Sequence, residues 1–128
     1  MIHVDTSFLI HALVAGSPED RQLRHWIDGN EPLGMSAIAW TEFLCGPAAG
    51  PPPEPPAGIL SEIVPYTEQD AALAASLFNR SGRRRGSMGD CMVAACALRR
   101  EASLATSNPE DFRRFHFSDL EVIRLETL

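Results

Sequence analysis

Four acidic residues stand at the ends of expected elements or on otherwise apolar helices: Asp5, Glu42, Asp90 and Asp111. Asp5 directly follows the short apolar run Ile2-His3-Val4. Glu42 lies inside the run Trp40-Thr41-Glu42-Phe43-Leu44-Cys45. Asp90 shares a helical face with Val93, Ala94 and Ala97. Asp111 falls just after the apolar run ending at Thr106. A buried carboxylate needs a partner, and arginine is scarce in the first half of the chain. A shared cation satisfies several acids at once. Hard divalent ions such as Mg²⁺ prefer oxygen ligands and take a few carboxylates plus water. Each acid also has a plainer role. Asp5 suits a helix N-cap, and Ser87-x-x-Asp90 and Asn108-x-x-Asp111 both read as capping boxes. Glu42, in mid-helix, has no such role.

Those acids need elements to position them. Ile2–Val4 reads as a strand, and Asp5-Thr6-Ser7 opens a helix with Phe8, Leu9 and Ala12 on its buried face. Ser17-Pro18-Glu19-Asp20 starts a second helix, with Leu23, Trp26 and Ile27 inward and Gly29 as its stop. Leu33-Gly34-Met35 is a short strand. Ser36 opens a helix over Ala37–Cys45 that ends at Gly46-Pro47. Six of the ten prolines fall within residues 47–58, an internal proline-rich loop. A short helix over Ile59–Glu62 and a strand at Ile63-Val64 are expected next. Thr67–Asp70 is a capping box for an amphipathic helix carrying Leu73, Ala74, Leu77 and Phe78. Ser81–Gly86 is a basic loop. Ser87 caps a long alanine-rich helix reaching Arg100. Ser103–Thr106 reads as a buried strand, Asn108-Pro109 as a helix start, and Leu120–Leu125 as a last strand. This alternation predicts α/β architecture: one domain over 1–128, with a short parallel sheet of four to five strands and helices on both faces.

Composition narrows the chemistry. The chain has 128 residues, 45% apolar and 22% charged, which suits one globular domain. All 11 basic residues are arginine, so mechanisms that require lysine are excluded. The net charge of -6 is uneven. Residues 1–79 carry two arginines and ten acids; residues 80–128 carry nine and seven. An acidic chain binds nucleic acid only through a local basic patch, once cations hold its acids. Cys45, Cys91 and Cys96 are expected as reduced, core-filling thiols. Trp26 and Trp40 read as core and interface aromatics, and the four histidines show no ligand spacing. No apolar run reaches membrane-spanning length and no signal peptide opens the chain, so a cytoplasmic protein without membrane contact is expected.

Val4-Asp5-Thr6-Ser7, Thr41-Glu42, Gly89-Asp90-Cys91-Met92-Val93-Ala94-Ala95 and Thr106-Ser107-Asn108-Pro109-Glu110-Asp111-Phe112 occur in that order. Together they resemble the PIN domain, and more narrowly the VapC-type ribonuclease toxins of bacterial toxin–antitoxin pairs. Arg84–Asp90 is especially similar to that subgroup. The resemblance covers almost the whole chain, and the proline-rich 47–58 stretch departs from it. It implies an Mg²⁺- or Mn²⁺-dependent endoribonuclease, usually a homodimer, silenced by a cognate antitoxin. The family's first three acids map to Asp5, Glu42 and Asp90. The fourth maps to Asp111 or Asn108, with Asp111 preferred because Phe112 follows it. The resemblance also brings in Thr6 and Thr106. On this reading Asp5 and Asp90 coordinate the ion, Glu42 and Asp111 complete its shell, and Thr6 orients a water or a carboxylate. The products carry a 5′-phosphate and a 3′-hydroxyl. Arg83, Arg84 and Arg85 are the expected RNA phosphate contacts, with a solvated or antitoxin-binding loop as the alternative. Another RNA-processing or structure-specific DNA nuclease of this fold, or a catalytically idle binding module, is the competing function.

Overall fold

The computed structural model describes residues 1–47, 49–51, 54 and 58–125. Most of the proline-rich loop expected at 47–58 therefore lies outside the described residues. Five strands form one parallel sheet: β1 (Ile2–Val4), β2 (Leu33–Ser36), β3 (Glu62–Val64), β4 (Ser103–Ala105) and β5 (Val122–Ile123), in the order β3-β2-β1-β4-β5. Every pairing is parallel, so all five carboxyl ends share one edge. All residues of β1 and β2 are buried, as expected of strands covered on both faces. Gly34 of β2 lets these strands sit close, because a Cβ there would meet Met1 Sδ at 3.0 Å and the His3 ring at 3.3 Å.

The helices among the described residues are α1 (Thr6–Ala12), α2 (Pro18–Asp28), α3 (Ala37–Cys45), α4 (Glu68–Arg80), α5 (Met88–Arg99) and the 3-10 helix Pro109–Phe115. Side-chain caps start most of them. Asp5 accepts from Phe8 N–H, Ser17 from Asp20 N–H, Ser36 from Ala39 N–H and Thr67 from Asp70 N–H. Phe8, Leu9, Leu33, Met35, Phe43, Leu104 and Phe115 are the large apolar side chains at the centre of the core. Trp26 stacks on Phe8 and Trp40 on Phe43, both from half-buried positions.

Several expectations are corrected here. Residues 59–61 form no helix; Ser61 N–H donates to Leu33 carbonyl (2.7 Å), which draws this segment into the sheet instead. The last strand is Val122–Ile123, much shorter than Leu120–Leu125. Ser87 occupies the N-cap position of α5, but its hydroxyl donates backwards to Arg84 carbonyl (2.6 Å) and caps nothing. Asn108 makes no side-chain cap either. Ile27, near the C-terminal end of α2, is exposed, and Cys45 is exposed at the end of α3; Cys91 and Cys96 are buried thiols as expected. Among the described residues no helix is long and apolar enough to cross a membrane.

Candidate active site

The chain leaves β1 for β2 and β3 on one side, then crosses to β4 and β5 on the other. Such a switch point opens a crevice beyond the carboxyl ends of the two central strands. Asp5 follows β1 and Thr106 follows β4, and the strands are held together there by Asp5 N–H donating to Ala105 carbonyl (3.0 Å). Glu42 enters from α3 and Asp90 from the first turn of α5. Glu42 Oε1 lies over Gly89, 3.7 Å from where a Cβ would be. Asp111 comes from the 3-10 helix. Four separate elements thus bring four acids to one edge.

Their electrostatics show the proximity. Burial raises the Asp5 carboxyl; the Thr106 hydroxyl, Phe8 N–H and Ser7 hydroxyl pull it back, and the charge of Asp111 raises it further. Burial raises Glu42, and the charges of Asp90 and Asp5 add to it. Asp90 is raised by burial, by Asp111 and by Asp5, against the lowering influence of Arg114 and Arg84. Asp5 is buried, Asp90 half-buried, and Glu42 and Asp111 exposed. The expectation of a buried Glu42 is corrected in part: the residue is exposed, while its carboxyl is sheltered enough beside Gly89 for burial to raise it. Among the described residues the cluster has one direct ion pair, Asp90 with Arg114 at 3.4 Å.

The PIN domain family model matches residues 2–118. The chain belongs to the PIN domain family. Solved structures of similar fold include FitAB bound to IR36 DNA fragment, 22% identical, with 99% of each chain covered and a TM-score of 0.74. VapBC-1 from nontypeable Haemophilus influenzae is 23% identical, with 98% of each chain covered and a TM-score of 0.70. A toxin–antitoxin complex from Klebsiella pneumoniae is 18% identical, with all of each chain covered and a TM-score of 0.71. No curated protein matches the chain significantly.

Within this PIN domain the hydroxyl groups sort differently from expectation. Thr6 Oγ1 donates to Ala39 carbonyl (2.8 Å) and ties α1 to α3, so it is not spent on a carboxylate. Ser7 takes the role expected of Thr6: its Oγ donates to Asp5 Oδ1 (2.9 Å). Ser7 Oγ also lies 3.4 Å from Thr106 Oγ1 and accepts from Ser107 N–H (3.2 Å). Ser107 Oγ reaches on to Glu19 Oε1 of α2 (3.1 Å). Asp5 is therefore oriented by a hydrogen-bond relay that runs through Ser7 and Ser107 to the second helix. Asn108 meets Thr106 through its backbone N–H (3.0 Å), and no hydrogen bond of its side chain is seen among the described residues.

The basic loop also divides. Gly82, Arg83 and Gly86 are left-handed, which folds residues 81–86 tightly between α4 and α5. Arg83 turns back onto α4, bonding Asn79 Oδ1 and lying over the Phe78 ring. Arg84 acts on Asp90 by its charge. Arg85 is exposed. Arg114, which sequence reasoning passed over, is the arginine in contact with the acids.

Proposed function

We propose that this PIN domain is the toxin of a toxin–antitoxin pair, a divalent-cation-dependent endoribonuclease that hydrolyses RNA phosphodiesters. On this proposal the whole chain, 1–128, is one nuclease domain that works in the cytoplasm as a homodimer, restrained by a cognate antitoxin. The observation that carries it is the gathering of Asp5, Glu42, Asp90 and Asp111 from four separate elements at the carboxyl edge of the sheet, where burial first and neighbouring acid charge second raise Asp5, Glu42 and Asp90. A fold does not leave acids so arranged without something to compensate them.

The donors fit a hard divalent cation: all are carboxylate oxygens, as Mg²⁺ and Mn²⁺ favour. Among the described residues no three acidic, histidine or cysteine side chains already close into a coordination group. The neighbouring negative charges make the crevice attractive to a cation. Asp5 and Asp90 are the proposed ligands, with Glu42 and Asp111 completing the set. A cation bound there lowers the pKa of a water and offsets charge on the reacting phosphate. Ser7 and Thr106 hold the Asp5 carboxylate in place, and Arg84 and Arg85 offer cationic contacts to the RNA backbone. Arg83 is engaged by α4 and contributes least. Thr6 is a structural tie.

Asp90→Asn tests this reading. It keeps shape and removes one charge from the crowded edge. Cleavage of single-stranded RNA in Mn²⁺ should fall about a thousandfold. The metal-free melting temperature should hold or rise, because one repelling charge is gone. Asp5→Asn and Glu42→Gln should lose cleavage likewise, while Asp111→Asn should lose less, its residue being exposed. Cleavage by Asp90→Asn at the wild-type rate refutes the mechanism. Wild-type cleavage of DNA in place of RNA transfers it to a DNA nuclease.

A further inference from the structure

Arg113 and Arg114 adjoin in sequence and part in space. Arg113 pairs with Glu110 (2.7 Å) on the exposed side of the 3-10 helix. Arg114 turns inward until its side chain is 15% exposed. Its Nε donates to Asp111 carbonyl (2.9 Å), and its guanidinium carbon lies 5.6 Å from the centre of the Phe115 ring. These contacts anchor the arm. Nη2 then reaches Asp90 Oδ2 at 3.4 Å. That contact is long and single. An arginine built to hold a carboxylate uses two short parallel bonds, as Arg100 does with Asp70 at 2.9 and 3.0 Å. Arg114 Nη1 is buried and has no acceptor among the described residues. An unmet guanidinium donor at such a place is costly unless an acceptor arrives.

Two visitors bear on it, both taken from the nuclease reading on which this inference rests. A divalent cation on Asp90 repels the guanidinium and competes with it for the same carboxylate. An RNA phosphate presents two non-bridging oxygens that match the planar fork. We propose that Arg114 is a substrate-phosphate ligand stored on Asp90: a cation displaces Nη2 from the carboxylate, and the guanidinium, still anchored through Nε, takes the phosphate. The orphan Nη1 is then the second tine of the fork.

Arg114→Gln separates the two halves of this statement. Mn²⁺ binding by the RNA-free protein, read by calorimetry, should tighten roughly tenfold, because the resident positive charge is lost. RNA cleavage in saturating Mn²⁺ should nevertheless drop roughly a hundredfold in kcat/KM. Arg114→Lys keeps the charge without the fork. It should bind Mn²⁺ as wild type does and recover only part of the cleavage. If Arg114→Gln binds Mn²⁺ no tighter, or cuts RNA as fast as wild type, the assignment is overturned. Should the glutamine variant not fold, the lysine variant decides: wild-type cleavage overturns the assignment, and a raised KM at unchanged Mn²⁺ affinity sustains it. Failure of the wild type itself to bind Mn²⁺ or to cut RNA removes the nuclease reading instead.

Discussion

Asp70 and Asp90 are both acids in the first turn of a helix, on the adjacent helices α4 and α5, and their surroundings are opposite. Asp70 is fully buried, yet its charge is met from every side. Arg99 reaches it at 3.0 Å and Arg100 at 2.9 Å, and Thr67 N–H completes the capping box. Burial pushes its carboxyl up, but the Arg100 and Arg99 guanidinium groups and the Thr67 N–H together hold it well below the usual carboxylate range. Asp90 is only half-buried and has one long contact to Arg114, with Asp111 and Asp5 repelling it. The charge of the first is met by its neighbours, and that of the second is met only in part. Chemistry belongs where compensation is missing, because only there does an incoming charge gain much.

The contrast can be broken by experiment. Asp70→Asn should cost about 3 kcal/mol in urea unfolding, since it strands two arginines at a buried site. Metal binding by the folded fraction should persist. Asp90→Asn should show the reverse pattern, with stability kept and metal binding lost. Equal stability losses in the two variants would erase the distinction drawn here.

A smaller effect is expected at the relay. Ser7→Ala removes the hydroxyl that donates to Asp5 and joins it to Ser107. Mn²⁺ affinity should fall roughly tenfold, as when the groups that orient metal ligands are lost. Thr6→Ala should leave Mn²⁺ affinity unchanged, because its hydroxyl serves Ala39. The same titration on both variants tests which hydroxyl matters.

The gentlest test is pH. His3, buried in β1 with neither ring nitrogen bonded among the described residues, is lowered from 6.5 to about 4, by burial first, then by the charges of Arg100 and the N-terminus, against Asp70. The unfolded chain takes up this proton near pH 6.5, and the folded one resists until near 4. The stabilisation is therefore whole above pH 6.5 and drains away as pH falls toward 4. The raised acids at the crevice act in the opposite sense, since falling pH relieves their repulsion. Between pH 7 and 5.5, His3→Leu should remove a stability loss of about 1 kcal/mol, measured as the difference from wild type. A difference that does not change with pH would show that His3 is not held neutral.

The strands and long helices could be read from the sequence because their apolar periodicity and caps agree with the packing. The acids could be read because Asp5 and Asp111 fall where strands give way to helices, and because Glu42 and Asp90 interrupt otherwise apolar helices. What escaped the sequence was direction. Thr6 and Ser7 both follow the acid, and only the start of α1 determines which hydroxyl turns back to Asp5. Arg113 and Arg114 look equivalent, and only the phase of a three-residue helical turn puts one on solvent and the other on Asp90. Residues 59–61 carry helix-compatible side chains, but a backbone bond to β2 overrides that local preference.

The strand order also has a consequence in time. β1 is made first, yet its second neighbour, β4, consists of residues 103–105. Ser7 must wait for Ser107, one hundred positions along the chain, before Asp5 is held. The crevice therefore cannot assemble while the polypeptide is still short, however early its first acids emerge. A growing chain carries Asp5 and Glu42 before the residues that close the crevice around them have been made, so this edge of the sheet is among the last parts of the fold to form.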